Sequence, residues 1–94
     1  RDSNYRSKIA RIISEAYYAM DDTQNAKYYF ELYTMSGANL SKTDNFYAGM
    51  LAYTLNSHLS ATDAFAKIAS STDSIGQSAA YHLGQSYIQL KNQT

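Results

Sequence analysis

The chain has 94 residues, a formal net charge of zero, and neither cysteine nor proline. This length allows one domain at most, and the missing cysteines exclude disulfides and thiolate metal sites. Zero net charge offers no basic surface to nucleic acid, and no apolar run approaches the roughly 20 residues of a membrane span. With only four glycines to interrupt it, the chain is predicted to be all-α, with about five helices.

The first two predicted helices cover about residues 3–19 and 23–35. In helix one, Ile9, Ile13 and Tyr17 recur every four positions and predict a buried stripe. Ser36 and Gly37 follow helix two, and a glycine is suited to the left-handed conformation that ends a helix.

Capping signals predict where the next three helices begin. Ser41 opens helix three, with Asp44 in a variant of the capping box, and this helix is expected to last to about Asn56. Ser60 repeats the arrangement and opens helix four, which ends near residue 70. Helix five is predicted over about residues 74–91.

Helix five carries an unusual glycine. Ala80, Leu83 and Tyr87 are spaced to share one helix face, and Gly84 lies on the same side. A glycine inside a helix costs about 0.5–1 kcal/mol relative to alanine, so a packing reason is expected. We expect a second helix to approach the backbone at this point.

A similar pattern recurs twice upstream. Three bulky anchors align at intervals of 38 and 32 residues (from 13 to 51, and from 51 to 83), each followed by a small residue. The anchor pairs are Ile13-Ser14, Leu51-Ala52 and Leu83-Gly84. Thirteen positions after the first two anchors stand Ala26 and Ala64. The intervals bracket the period of about 34 residues that is typical of tetratricopeptide units.

On these residues the chain resembles tetratricopeptide repeats, which are pairs of antiparallel helices A and B stacked into an α-α superhelix. The resemblance implies repeat one over about 3–37, repeat two over about 41–71, and a third helix A over about 74–91. It implies that Ser14 meets Ala26 and that Ala52 meets Ala64. The chain departs from the family in lacking the closing proline and the initial tryptophan, and in a four-residue excess that we place around 37–40. Helix five is also similar in composition to envelope-associated repeat proteins of bacteria.

The resemblance further implies a concave groove lined by the A helices. A mixed set of aromatic, amide and charged side chains would line it and could hold a peptide. Its expected members are Lys8, Arg11, Glu15 and Tyr18 from helix one, Phe46, Met50, Tyr53 and Asn56 from helix three, and Ser78, Tyr81, His82, Gln85 and Gln89 from helix five. The alternative interpretation is that these residues form the solvated faces of scaffold helices.

The sequence favours a protein that is not an enzyme. A clamp for a C-terminal carboxylate is not expected, because Glu15 stands beside the basic residues of helix one and the groove residues of helices three and five include no lysine or arginine. His58 and His82 have no further ligand at metal-binding spacing. Adjacent Asp21 and Asp22 suggest a turn and cap, not a catalytic pair. No cofactor is predicted.

Two functions follow from the sequence. The first is an interaction module that binds a protein or peptide partner, excised from a longer repeat protein in which another helix follows Gly84. The alternative is a structural spacer or self-association unit without its own ligand. The polar outer face of helix five also permits a terminal cap. The compartment stays open, since the bacterial cytoplasm and the cell envelope are equally compatible.

Overall fold

The computed structural model describes residues 2–93, with side chains from Tyr5 onward. These residues form five α-helices and no strand, which confirms the all-α prediction. The helices are α1 (Asp2–Ala19), α2 (Thr23–Met35), α3 (Lys42–Thr54), α4 (His58–Ala66) and α5 (Ser74–Asn92). They divide between two compact units, Arg1–Leu40 and Ser41–Thr94.

The first unit is a hairpin of α1 and α2. Its turn places Asp21 at φ 62°, and the N–H of Asp22 donates to the carbonyl of Tyr17 at 2.9 Å. This is the six-to-one hydrogen bond of a Schellman turn. The two helices cross where the Ser14 hydroxyl donates to the Ala26 carbonyl at 2.6 Å. Both of these residues are fully buried, so the small side chains permit the close crossing that the sequence predicts.

The buried side of α1 differs from the predicted stripe. Ile9 is 38% exposed, whereas Ser7, Ala10 and Ser14 are buried. The Ser7 hydroxyl also lies 2.8 Å from that of Ser36, just after α2. Two helices in close contact bring small residues between their axes and move larger ones to the border, which explains the rotation away from Ile9.

The second unit contains α3, α4 and α5, in which each helix contacts the other two. Its core consists of Ala61, Phe65, Ile68 and Ala79. The Phe65 side chain is fully buried, and burial of a phenylalanine is among the largest single contributions that a small core receives.

The start of α4 corrects a prediction. The helix begins at His58, so Ser60 lies inside it and is not its cap. Asn56 adopts φ 62° and the N–H of Ser57 donates to the carbonyl of Ala52 at 2.8 Å. This second Schellman turn ends α3 two residues before the predicted Asn56 and leads directly into α4.

The other capping predictions agree with the structure. The side chain of Ser41 accepts from the Asp44 N–H at 3.1 Å, and the Asp44 carboxylate accepts from the Ser41 N–H at 3.1 Å, which completes a capping box at the start of α3. After α2, Gly37 has φ 84°, the left-handed value expected there.

In the second unit α3 meets α4 at Gly49, three residues before the predicted Ala52. A Cβ atom built on Gly49 would lie 2.5 Å from Cε1 of Phe65, so the backbone of α3 approaches α4 there. The position equivalent to Ser14 is therefore Gly49. Ser14, Gly49 and Gly84 stand at equal intervals of 35 residues (from 14 to 49, and from 49 to 84). The four-residue excess predicted for the first interval disappears.

An ion pair joins the beginnings of α3 and α5. The Lys42 ammonium donates to the Asp73 carboxylate at 2.5 Å, and Asp73 also caps α5 by accepting from the Gly76 N–H at 2.9 Å. The pKa of the Asp73 carboxyl lies well below its usual range. The largest cause is the hydrogen bond from Lys42, followed by those from the Gly76 N–H and the Ser71 hydroxyl.

This lowered pKa predicts a pH-dependent stability. A carboxyl whose pKa is lower in the folded than in the unfolded chain stabilises the fold above its unfolded pKa of about 3.9, and the contribution is lost as pH falls towards the folded value. We expect Asp73→Asn, which keeps a capping side chain, to lower the melting temperature at pH 7. Thermal melts followed by circular dichroism should show this difference narrowing below about pH 4. A difference that is constant with pH would contradict the ion pair.

Among the described residues, no helix combines the length and the apolar character that crossing a membrane requires.

Candidate functional site

Aromatic side chains from three helices converge around the imidazole of His82. It stacks on the ring of Phe65, with centroids 5.6 Å apart and an interplanar angle of 22°. Phe46 and Tyr53 of α3 lie 5.9 Å and 6.4 Å from the imidazole centroid. The Tyr81 ring lies 5.4 Å away and meets the imidazole edge-on, at an interplanar angle of 71°. Together with Gln85, described next, these residues are called the His82 cluster.

Gln85 links the polar atoms of the cluster. Its Oε1 lies 3.2 Å from Nδ1 of His82, and its Nε2 donates to the Tyr81 hydroxyl at 3.2 Å. Because an amide oxygen only accepts, Nδ1 of His82 carries the hydrogen in this arrangement. The amide therefore fixes both the imidazole and the exposed tyrosine ring.

The exposed side of the His82 cluster combines aromatic rings with an amide and a hydroxyl group. Tyr81 is 66% exposed, and Phe46, Tyr53, His82 and Gln85 are half-buried. None of these residues is an acid, a lysine or an arginine. Exposed aromatic rings with fixed hydrogen-bonding groups provide contact area at a low cost in conformational entropy, which is typical of protein-binding surfaces.

His58, the first residue of α4, lies next to the cluster. It is buried and packs edge-on against Tyr53 at 5.1 Å. Its Nδ1 atom is buried and makes no hydrogen bond within the described residues. A buried imidazole that packs against a tyrosine ring acts as part of the core.

The other predicted groove residues of the second unit are placed differently. Met50 is half-buried and packs against the core. Asn56 is exposed in the turn after α3, because its left-handed conformation ends that helix. Gln89 lies one turn beyond Gln85 on α5 and is half-buried, and Ser78 lies one turn before Tyr81 and is exposed.

The groove residues of the first unit lie on α1. Arg11 donates to the Glu15 carboxylate at 2.6 Å, and its guanidinium carbon lies 5.6 Å from the centroid of the Phe30 ring. The Arg11 side chain is only 14% exposed. Lys8 is exposed and Tyr18 is half-buried. That these residues share one groove with α3 and α5 stays a prediction.

The five predicted packing residues divide into two groups. Ser14 and Ala26 are brought together at the crossing of α1 and α2. In the second unit Ala64 is buried, and Ala52 is half-buried against the core. A Cβ built on Gly49 would lie 2.5 Å from the Phe65 ring, so α3 also meets α4 there. That Ala52 meets Ala64 stays a prediction. Gly84, the fifth, is exposed, with nothing within 4 Å of a Cβ built on it.

Sequence reasoning missed two parts of this region, the Phe65 ring beneath His82 and the close approach at Gly49. A signal for both was present. Ala26 and Phe30 in α2 and Ala61 and Phe65 in α4 show the same four-residue spacing, 35 residues apart. Alignment on these pairs, in place of the bulky anchors, gives the register of the structure.

No family model matches the chain, and neither a curated protein nor a solved structure matches it. Within residues 2–93, no three histidine or acidic side chains come together in a way that could hold a metal ion.

Proposed function

We propose that this protein is a helical repeat module, similar to tetratricopeptide repeats, that binds a protein or peptide partner and is not an enzyme. The observation that carries the proposal is the His82 cluster, where the exposed Tyr81 and the half-buried Phe46, Tyr53 and His82 of α3 and α5 lie over the fully buried Phe65 ring of α4. The partner segment contacts Tyr81, packs along the half-buried rings of α3, and accepts a hydrogen bond from the remaining N–H of the Gln85 amide.

The charge of the cluster indicates the kind of partner segment. A neutral face gives no electrostatic preference for a charged peptide, so apolar side chains and backbone carbonyls supply the contacts. Affinity comes mainly from the burial of aromatic rings, since tyrosine is a frequent energetic centre of protein interfaces.

The proposal is tested by selecting peptides that bind the wild-type chain and then measuring their affinity for the Tyr81→Ala variant. We expect peptides selected from a random display library on the wild-type chain to lose at least tenfold in affinity for Tyr81→Ala, about 1.4 kcal/mol. Tyr28→Ala is the matched control, because Tyr28 is also exposed but lies on α2. Isothermal titration gives the affinities, and circular dichroism checks that both variants stay helical.

Unchanged affinity for Tyr81→Ala with intact helicity would contradict the assignment of the His82 cluster. Equal losses of peptide affinity in Tyr81→Ala and Tyr28→Ala would mean that the peptides bind exposed tyrosines in general and not the His82 cluster in particular.

The second candidate function is self-association without a separate ligand. Large apolar residues exposed on α5, such as Tyr87 and Ile88, favour it, because uncovered helix faces can bury against a second copy. Analytical ultracentrifugation separates the candidates: a monomer at all concentrations would exclude self-association.

A further inference from the structure

An uncovered face runs along α5, away from its contacts with α3 and α4. Ala80, Gly84, Tyr87 and Ile88 share this face, since they are spaced three, four and seven or eight positions apart. All four are exposed, with Tyr87 at 56% and Ile88 at 59%. A Cβ built on Gly84 would meet nothing within 4 Å. We call these four residues the Gly84 face.

The two positions equivalent to Gly84 are both covered. Ser14 is fully buried beneath α2, where its hydroxyl donates to the Ala26 carbonyl at 2.6 Å. Gly49 is buried against the Phe65 ring of α4. Each of these small residues therefore lies where the following helix crosses, and Gly84 stands 35 residues after Gly49 without such a helix among the described residues.

The two covering helices carry the same pair of residues on their contact side. In α2 the fully buried Ala26 precedes the buried Phe30 by four positions, and in α4 the fully buried Ala61 precedes Phe65 in the same way. The alanine permits close approach, and the phenylalanine one turn later fills the space beside the crossing. At both Ser14 and Gly49, therefore, the covering helix carries an alanine followed four positions later by a phenylalanine.

The match extends to two more residues in the first unit. Tyr17 follows Ser14 by three positions and stacks on Tyr29 of α2, with centroids 5.6 Å apart and an interplanar angle of 16°. Tyr87 follows Gly84 by the same three positions. Ala80 likewise precedes Gly84 by four positions, as the buried Ala10 precedes Ser14.

We propose that the Gly84 face binds an amphipathic helix of a partner protein whose contact side carries an alanine followed four positions later by a phenylalanine. The face borders the established interface within the second unit, because Leu83 beside it packs against the core. None of the four residues of the Gly84 face is charged. The residues with which α2 covers α1, Ala26, Tyr29 and Phe30, are also uncharged. Binding of a helix like α2 therefore requires no charged group to be desolvated on either contact surface. The Gly84 face shares no residue with the His82 cluster of the proposed function, although Tyr81 of that cluster stands three positions before Gly84 on α5.

The test uses the α2 sequence as the probe. A fluorescein-labelled peptide of residues 21–37 is titrated with the full chain and followed by fluorescence anisotropy. We expect saturable binding that weakens at least tenfold with Gly84→Leu, which blocks the close approach, and with Tyr87→Ala, which removes the stacking ring. Ser78→Leu is the matched control, as it adds the same side chain at an exposed position elsewhere on α5. A peptide with Phe30→Ala should bind at least tenfold more weakly.

Three results would overturn the proposal. The first is the absence of saturable binding to the wild-type chain up to about 1 mM peptide. The second is peptide binding whose affinity Gly84→Leu leaves unchanged. The peptide would then bind elsewhere, for example on α1 after displacing the chain's own α2. The third is a dimer in sedimentation of the chain alone that Gly84→Leu dissociates, which would make a second copy the occupant. Tyr53→Ala, which changes the His82 cluster on α3 and leaves α5 unaltered, should leave peptide binding intact, so failure here and failure of the proposed function are distinguishable.

Discussion

Replacing Phe65 with alanine is expected to lower the free energy of unfolding of the second unit by about 3–5 kcal/mol, the usual cost of truncating a fully buried phenylalanine. The ring is 0% exposed and contacts elements on both sides: it stacks on His82 of α5 and lies 5.8 Å from Phe46 of α3. Its removal leaves a cavity between three helices. Urea denaturation followed by circular dichroism at 222 nm measures the loss.

Two controls accompany Phe65→Ala. Phe65→Leu keeps most of the buried volume and should cost clearly less than the alanine variant. Tyr28→Ala removes an aromatic ring from an exposed position and should change the free energy of unfolding by less than about 0.5 kcal/mol. A cost below about 1 kcal/mol for Phe65→Ala would contradict the packing described for α4.

The same substitution at two equivalent glycines should have opposite effects. Gly49→Leu is expected to lower the free energy of unfolding by about 3 kcal/mol, because even a Cβ at Gly49 would collide with the buried Phe65 ring. Gly84→Leu is expected to raise it by about 0.5–1 kcal/mol, because leucine favours the helix more than glycine does and the space around Gly84 is open. Parallel thermal and urea unfolding of the two variants gives the comparison.

A double variant shows whether the loss at Gly49 comes from the Phe65 ring. If the leucine collides with that ring, Gly49→Leu combined with Phe65→Ala should cost less than the two single changes added together. Strictly additive losses would assign the effect of Gly49→Leu to a different contact.

Local signals in the sequence were sufficient to predict the helices and most of their ends. Ser41 with Asp44, and Gly37 after α2, act through hydrogen bonds and φ preferences that depend on a few neighbouring residues. Asn56 was harder to recognise, because a non-glycine residue at positive φ has a weaker sequence signature than glycine. The prediction therefore extended α3 to Asn56 and began α4 at Ser60.

The register of the second repeat could not be predicted from bulky residues. Leu51 is buried like a true anchor, but close helix crossings are determined by the small residues that permit them, here Ser14 and Gly49. Both positions are followed by an alanine and a phenylalanine at the same distance, and that pattern was available in the sequence. The rotation of α1 away from Ile9 has the same cause.

The candidate site was predicted in part. Tyr53, Tyr81, His82 and Gln85 do come together, because equivalent faces of α3 and α5 lie side by side. The base of the site was missed, since Phe65 lies on α4 and its position under His82 depends on how three helices pack. Spacing along one helix does not contain that information.

Proton NMR of the full chain tests the repeat register most directly. We expect nuclear Overhauser effects between the Hα protons of Gly49 and the ring protons of Phe65, with the Hα resonances shifted by the ring current. The opposite result is the absence of these Hα–ring effects together with a strong cross-peak between the methyl groups of Ala52 and Ala64. It would contradict the 35-residue register and the equivalence of Gly84 to Ser14.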